Sequence, residues 1–341
     1  MQARLELTRQ QILAFRRRVG GLDERRPRGP ESLQEAAWAG LQDSMPRAAL
    51  LSLHARVEGI EPSSWEDPSL AQLWGPRYST YMVAKRDFAL FSLGRLPDDV
   101  RSRQRAERIA EQLHAHLDGA RMSDREAGQA LGVNPNTFRY AAPTGTVAIR
   151  WEGARAPTVW TVVAPEIEPA AACRELARRY LHIFGPTTAD GFARWAGISR
   201  SSAAAAFEAL EGSLLPVRSP LGDELLLAED EPAMRAAAAE TGAAPARLLP
   251  SGDAYFLLDG AERELLIPHA DQRQRLWTSR VWPGAVLVEG EIRGTWRRAN
   301  HIVRIDAWAR LSRATRDAIE AEARFLPLPG VDRQIEVAWE P

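Results

Sequence analysis

A short pattern recurs three times in this chain, and it limits what the chain can fold into more than any other feature. Glu35–Ser44 reads Glu-Ala-Ala-Trp-Ala-Gly-Leu-Gln-Asp-Ser, Ala127–Asn136 reads Ala-Gly-Gln-Ala-Leu-Gly-Val-Asn-Pro-Asn, and Phe192–Ser201 reads Phe-Ala-Arg-Trp-Ala-Gly-Ile-Ser-Arg-Ser. Superposing Gly40, Gly132 and Gly197 aligns an apolar residue (Leu41, Val133, Ile198) and then a polar one (Gln42, Asn134, Ser199). Each copy reads as the end of one helix, a tight glycine turn and the capped start of a second helix. Strand-like segments follow each copy: Tyr78–Ala84; Thr146–Trp151 with Pro157–Val163 around the Glu152-Gly153 turn; and Leu214–Val217 with Glu224–Leu227. A helix–turn–helix followed by a strand pair is the plan of a winged helix.

The remaining segments extend this plan. Capping boxes at Thr8-x-x-Gln11, Ser32-x-x-Glu35 and Ser123-x-x-Glu126 open helices. A third helix of the first unit runs from Ser44 or Pro46 to Val57, and Trp65–Leu73 reads as a turn and short helix. Longer helices are expected over Asp98–Leu117 and Ala170–Phe184, with Thr187 or Thr188 capping Asp190–Ala196 and an alanine-rich helix ending at Leu210. Beyond a short helix at Pro232–Thr241 the chain turns β-like, with strands at Tyr255–Leu258, Ala285–Glu289, Glu291–Arg297, Ile302–Trp308 and Gln334–Trp339 and one helix, Arg313–Phe325. The expected fold class is α+β: three tandem winged helix–turn–helix units plus a C-terminal β-containing segment with a hairpin and one helix. The divisions fall at 1–96, 97–166, 167–230 and 231–341.

Composition narrows the function. The 341 residues carry a net charge of −1 and no apolar run long enough to span a membrane, and Met1–Gly20 is amphipathic without a signal-peptide core. A cytoplasmic monomer is expected. The one cysteine, Cys173, rules out an internal disulfide and a thiolate zinc site. His114-x-His116, the closest approach to a metal spacing, points to two helix faces, so neither metal nor organic cofactor is expected. Every cation but Lys85 is arginine, the residue better suited to forked phosphate contacts.

In a winged helix the second helix of the turn motif can enter the major groove while the wing lies on the backbone. The recognition helices here are poor base readers. Ser201–Leu210 is mostly alanine, and Asn136–Ala142 offers only Asn136, Arg139 and Tyr140. Double-stranded DNA bound through its backbone with little sequence preference fits better. Arg139, Arg150, Arg200, Arg297 and Arg298 are the candidate phosphate contacts.

Seven segments together resemble the winged-helix DNA glycosylase family that includes AlkZ and YcaQ. They are Gly40-Leu41-Gln42, Trp74-Gly75-Pro76-Arg77, Leu93-Gly94-Arg95-Leu96-Pro97, Ala142-Pro143-Thr144-Gly145, Phe184-Gly185-Pro186-Thr187, Phe192-Ala193-Arg194-Trp195-Ala196-Gly197 and Gly294-Thr295-Trp296-Arg297-Arg298. The resemblance implies three winged helices around a concave DNA-binding face, a β-hairpin reaching into the channel, and excision of N7-alkylated purines, including crosslinks. It also implies a catalytic Gln-x-Gln or Gln-x-Asp after the glycine turn. Here that motif reads Gln42-Asp43-Ser44: the first glutamine is kept and the second polar residue is serine. Gln42, Asp43 and Ser44 are therefore the candidate catalytic residues. Gln42 would hold a water with Asp43 or Ser44 assisting, and helix capping by the same residues is the competing reading. Where relatives tend to read Arg-Gly-Thr-x-His, this chain reads Arg77-Tyr78-Ser79-Thr80-Tyr81, which makes Arg77 and Tyr81 candidate DNA contacts, Tyr81 by stacking on a base. Asp253-x-Tyr255 matches a recurring family segment without an evident mechanism. A catalytically inactive DNA-binding or regulatory protein of the same fold is the alternative.

Overall fold

The computed structural model describes residues 4–153, 155–237, 244–331 and 333–340. Its centre is a six-stranded sheet in the order Leu41–Gln42, Thr80–Ala84, Leu70–Trp74, Val147–Arg150, Thr158–Thr161, Met122–Ser123. The strands that follow the first and second turn motifs thus share one sheet. They meet where Leu70–Trp74 pairs antiparallel with Val147–Arg150 in the register Gln72↔Ile149. A five-stranded sheet near the C-terminus runs Arg247–Leu249, Gly284–Val288, Glu291–Ala299, Ile302–Ala307 and Glu336–Trp339, the last pair parallel. In the third sheet Leu5–Glu6 lies parallel to Leu214–Ser219, which pairs antiparallel with Gly222–Leu227.

Many helix ends form as the local sequence dictates. Thr8 and Ser123 close full capping boxes, and Thr188, Ser199 and Ser312 each accept a backbone N–H of the helix they open. Gly132 and Gly197 end their helices in the left-handed conformation that glycine adopts without penalty. Gly40 shares it (φ 76°), and a Cβ there would stand 2.8 Å from the Phe91 ring. The largest apolar core gathers Phe91, Tyr180, Phe192, Trp195, Phe207 and Phe256, so the third turn motif packs with the C-terminal segment, while Ala36 and Leu41 of the first motif and Ala127 and Val133 of the second belong to two separate cores.

Several expectations are corrected. The first turn motif does not continue directly into a helix. After Gly40 the chain forms the strand Leu41–Gln42 against Thr80–Ala84, and the next helix, Ala48–Arg56, starts six residues beyond Gln42. The edge of Thr80–Ala84 offers backbone partners that a capped helix start would leave unmet. Leu70–Trp74 is a strand, almost wholly buried, so no alternation marked it. Tyr255–Leu258 is not a strand. Asp253 caps a 3-10 turn at Ala254–Phe256, and all four side chains are buried. The second motif's second helix, Pro135–Thr144, is 3-10. The C-terminal segment holds more than one helix: Gly260–Leu266 and Ala270–Leu276 precede Arg313–Arg324. The helix expected at Pro232–Thr241 is Glu231–Ala236, and residues 238–243 lie outside the described set. The first helix, Arg9–Val19, packs Ile12 and Phe15 on Val217, Leu226 and Met234, beside the strands after the third motif.

The helix Ala48–Arg56 is buried at all nine positions. Its last residue, Arg56, makes a two-pronged ion pair with Asp253 (2.7 and 2.8 Å) with both side chains almost wholly buried, and Ser52 donates to the same carboxylate at 2.6 Å. Removing one partner leaves a buried charge unmet. Asp253→Ala should lose about 3–5 kcal/mol in urea unfolding. The paired apolar replacement Arg56→Met/Asp253→Leu should lose less than Asp253→Ala alone.

Candidate active site

Strand geometry decides what Gln42-Asp43-Ser44 can do. Gln42 pairs with Tyr81, and the Asp43 N–H donates to the Thr80 carbonyl at 2.8 Å, so the backbone is extended through this point. Successive side chains of extended backbone point to opposite sides. Gln42 and Ser44 therefore share a side, and Gln42 Nε2 donates to Ser44 Oγ at 2.9 Å. Ser44 is exposed and Gln42 half-buried. Gln42 Oε1 has no hydrogen-bond partner among the described residues and faces Gly252, where a Cβ would stand 2.9 Å from it. The loop anchored by Asp253 thus forms one wall of the glutamine's setting.

Asp43 turns the other way and is 1% exposed. Its Oδ1 accepts the Ala49 N–H at 3.0 Å, which caps the buried helix Ala48–Arg56 from six residues upstream, and its Oδ2 accepts from Gln72 Nε2 at 2.7 Å. Burial pushes its pKa up to about 6, against the opposing pull of the Ala49 N–H, Arg47 and Gln72. The carboxylate is spoken for on both oxygens and does not reach the face that holds Gln42 and Ser44. The capping reading thus fits Asp43, and the strand alternation explains why it cannot do both.

Gln72 is the residue the sequence did not single out. It is buried, donates to Asp43, and accepts the Trp151 N–H at 2.8 Å. One amide ties the glutamine–serine strand to the Val147–Arg150/Thr158–Thr161 hairpin. The hairpin turn also touches the loop after Ser44: a Cβ on Gly153 would lie 2.9 Å from Pro46, and Arg47 donates to the Trp151 carbonyl at 3.2 Å. Arg47 holds the left-handed conformation (φ 66°), which costs a non-glycine residue about 1–2 kcal/mol. A polar residue inside an otherwise apolar strand was the available signal for Gln72, but Leu70–Trp74 has to be recognised as a strand first.

The candidate DNA contacts are spread out. Arg150 lies beside the hairpin turn, its guanidinium 3.7 Å from the Trp65 ring centre. Arg77 is exposed in the left-handed region, with Gly197 packed on its backbone. Arg139 donates to Asn136 at 2.6 Å within the 3-10 segment after the second turn. Arg200 is exposed near Asp190 (3.5 Å). Arg297 and Arg298 are exposed on the strand Glu291–Ala299, with Arg297 donating to the Val281 carbonyl. Tyr81 is a correction: it is 1% exposed, and its ring fills the space beside Gly40 and Gly75. Burial raises its pKa, and it offers no surface on which a base could stack. Among the described residues no group of three or more His, Cys, Asp and Glu side chains is placed to hold a metal ion.

Comparison with known proteins adds a family. A family model described as DNA glycosylase AlkZ-like matches residues 36–326. Among solved structures, the Streptomyces sahachiroi DNA glycosylase AlkZ shares the fold with a TM-score of 0.78 at 18% identity, over 98% of this chain and 100% of that one. No curated protein sequence matches the chain.

The raised Asp43 pKa has a consequence for stability. Between about pH 4 and pH 6 the folded chain keeps a proton on Asp43 that the unfolded chain has released, so stability from this group falls as pH rises through that window and is level above it. Urea unfolding of wild type and Asp43→Asn across the window checks this. The wild type should lose about 2 kcal/mol relative to the variant as pH rises from about 4 to about 6.

Proposed function

The chain belongs to the AlkZ-like DNA glycosylase family, and from that premise we propose that it is a monofunctional glycosylase that excises N7-alkylated purines or crosslink adducts from double-stranded DNA. We read the three turn motifs and their strands as winged helices presenting that surface, in the divisions 1–96, 97–166 and 167–230, with residues 231–341 supplying the Glu291–Ala299/Ile302–Ala307 hairpin. Arg77, Arg139, Arg150, Arg200, Arg297 and Arg298 are the phosphate contacts in this reading. A cytoplasmic monomer that needs no cofactor fits it.

The observation that carries the reading is the Gln42–Ser44 hydrogen bond beside an unpaired Gln42 Oε1. Excision replaces the C1′–N9 bond with a bond from C1′ to a water oxygen. The departing purine takes the electron pair of the broken bond and thereby loses the positive charge that N7 alkylation gave it, and the water's surplus proton passes to solvent. A cationic purine leaves readily, so the protein's task is to place the water and to face the oxocarbenium-like sugar with oxygen acceptors. The exposed Ser44 hydroxyl is such an acceptor, and Gln42 Oε1, buried against Gly252, becomes one when the side chain turns outward; both are neutral. Asp43 is a positioning residue here. It fixes the start of Ala48–Arg56 and, through Gln72, the hairpin.

The second reading, DNA binding without chemistry, is favoured by the inward turn of Asp43, which takes the motif's own carboxylate off the Gln42–Ser44 face. Base release from a duplex containing N7-methylguanine separates the two. Gln42→Ala should lower the single-turnover rate about 100-fold and Ser44→Ala about 10-fold. Wild-type release no faster than that of Gln42→Ala would leave only the binding reading.

A further inference from the structure

Beside the Gln42–Ser44 pair two arginines share one indole. The Arg47 guanidinium carbon is 3.3 Å from the Trp65 ring centre and that of Arg150 is 3.7 Å from it. Two planar groups that close to one ring centre cannot occupy the same face, so they sandwich it. The like charges are then no more than about 7 Å apart in a half-buried setting, where they repel more than they would in water. Their compensation is loose. Arg150 has Glu66 at 3.8 Å, and Arg47 donates to a backbone carbonyl. Both guanidiniums have lowered pKa values, by burial first and for Arg47 also by the charge of Arg150, with Asp43, Glu66 and Glu152 offsetting part of this. Trp65 itself is buried, which fixes the platform, and stacking on it fixes both guanidinium planes.

We propose that Arg47 and Arg150, held on the two faces of Trp65, form a clamp for one phosphodiester of the DNA strand that passes Gln42 and Ser44. A phosphodiester supplies what this arrangement lacks, a negative charge with two acceptor oxygens for two pre-oriented donor forks. The clamp's place follows from the chain. Arg47 is three residues beyond Ser44 on the loop that meets Gly153, and Arg150 enters that hairpin's turn from the other side, so an anion bound there adjoins the water-placing pair. The left-handed backbone at Arg47 is the local distortion that accompanies this placement. The inference rests on the reading that the Gln42–Ser44 face meets DNA, and it adds Arg47 and Trp65, which no motif pointed to.

The test is the salt dependence of binding to an undamaged duplex. The slope of log Kd against log salt counts the phosphates neutralised, at about 0.9 per contact. Arg47→Gln and Arg150→Gln should each weaken binding about threefold to tenfold at low salt, and because both forks serve one phosphodiester the double variant should lower the slope by about one in total. Arg150→Lys should keep the slope, and Arg313→Gln, on a fully exposed side chain elsewhere, should match wild type. Thermal melts identify any variant whose fold is damaged, and if the double variant fails to fold the single variants carry the test: a folded single variant that binds about threefold to tenfold more weakly supports the clamp, and one that binds as wild type overturns it. Wild-type affinity and slope in the folded double variant overturn the clamp alone. Absence of wild-type binding to any duplex overturns the glycosylase reading and the clamp with it.

Discussion

A nine-residue helix with no exposed face, Ala48–Arg56, is held at both ends by carboxylates from elsewhere in the chain, and the candidate site depends on that grip. At its start Asp43 accepts the Ala49 N–H; at its end Asp253 pairs with Arg56 and Ser52. These carboxylates flank the glutamine from opposite sides, Asp43 by following it in the strand and Asp253 by anchoring the loop that brings Gly252 against it. Burying two carboxylates is unfavourable unless every oxygen is met, so neither segment can shift away from the helix without leaving its own buried carboxylate unmet. The position of Gln42 is thereby fixed by two buried carboxylates.

Much of the fold was legible in the chain because it is set by neighbours in sequence. Thr188, Ser199 and Ser312 satisfy N–H groups within three residues, and the Glu152-Gly153 and Glu289-Gly290 turns join strands that pair directly. The strand Leu41–Gln42 was not legible, since its partner Thr80–Ala84 lies some forty residues on and Gly40 is equally good at ending a helix. Tyr255–Leu258 misled for a related reason. Four consecutive buried side chains look strand-like, and only the Asp253 carboxylate, engaged with Arg56, turns the backbone into a 3-10 cap.

The segment Gln42–Ser44 was singled out in the sequence and misjudged in its geometry. Read as the start of a helix, Gln42, Asp43 and Ser44 spread over three directions and compete for one capping role. As extended backbone they separate into a pair on one side and a structural carboxylate on the other. Tyr81 shows the opposite error. Its type suggested a base-stacking surface, whereas pairing opposite Gln42 under Gly40 and Gly75 places it in the core. Trp65 carries no signal of its own and Gln72 only its polarity within an apolar stretch, because their contacts exist only once the two halves of the central sheet have met.

The parallel pairing of Leu5–Glu6 with Val217–Arg218 sets an order of events during synthesis. Leu5–Glu6 waits for a strand more than two hundred residues later, on the order of ten to forty seconds at usual elongation rates. Until then the apolar side of Arg9–Val19, with Ile12 and Phe15, has no partner. When Leu214–Ser219 emerges it meets Leu5–Glu6 before the strands of the five-stranded sheet exist. A polypeptide released before that strand is made leaves the Arg9–Val19 helix open to the aggregation and chaperone binding that exposed apolar surface invites.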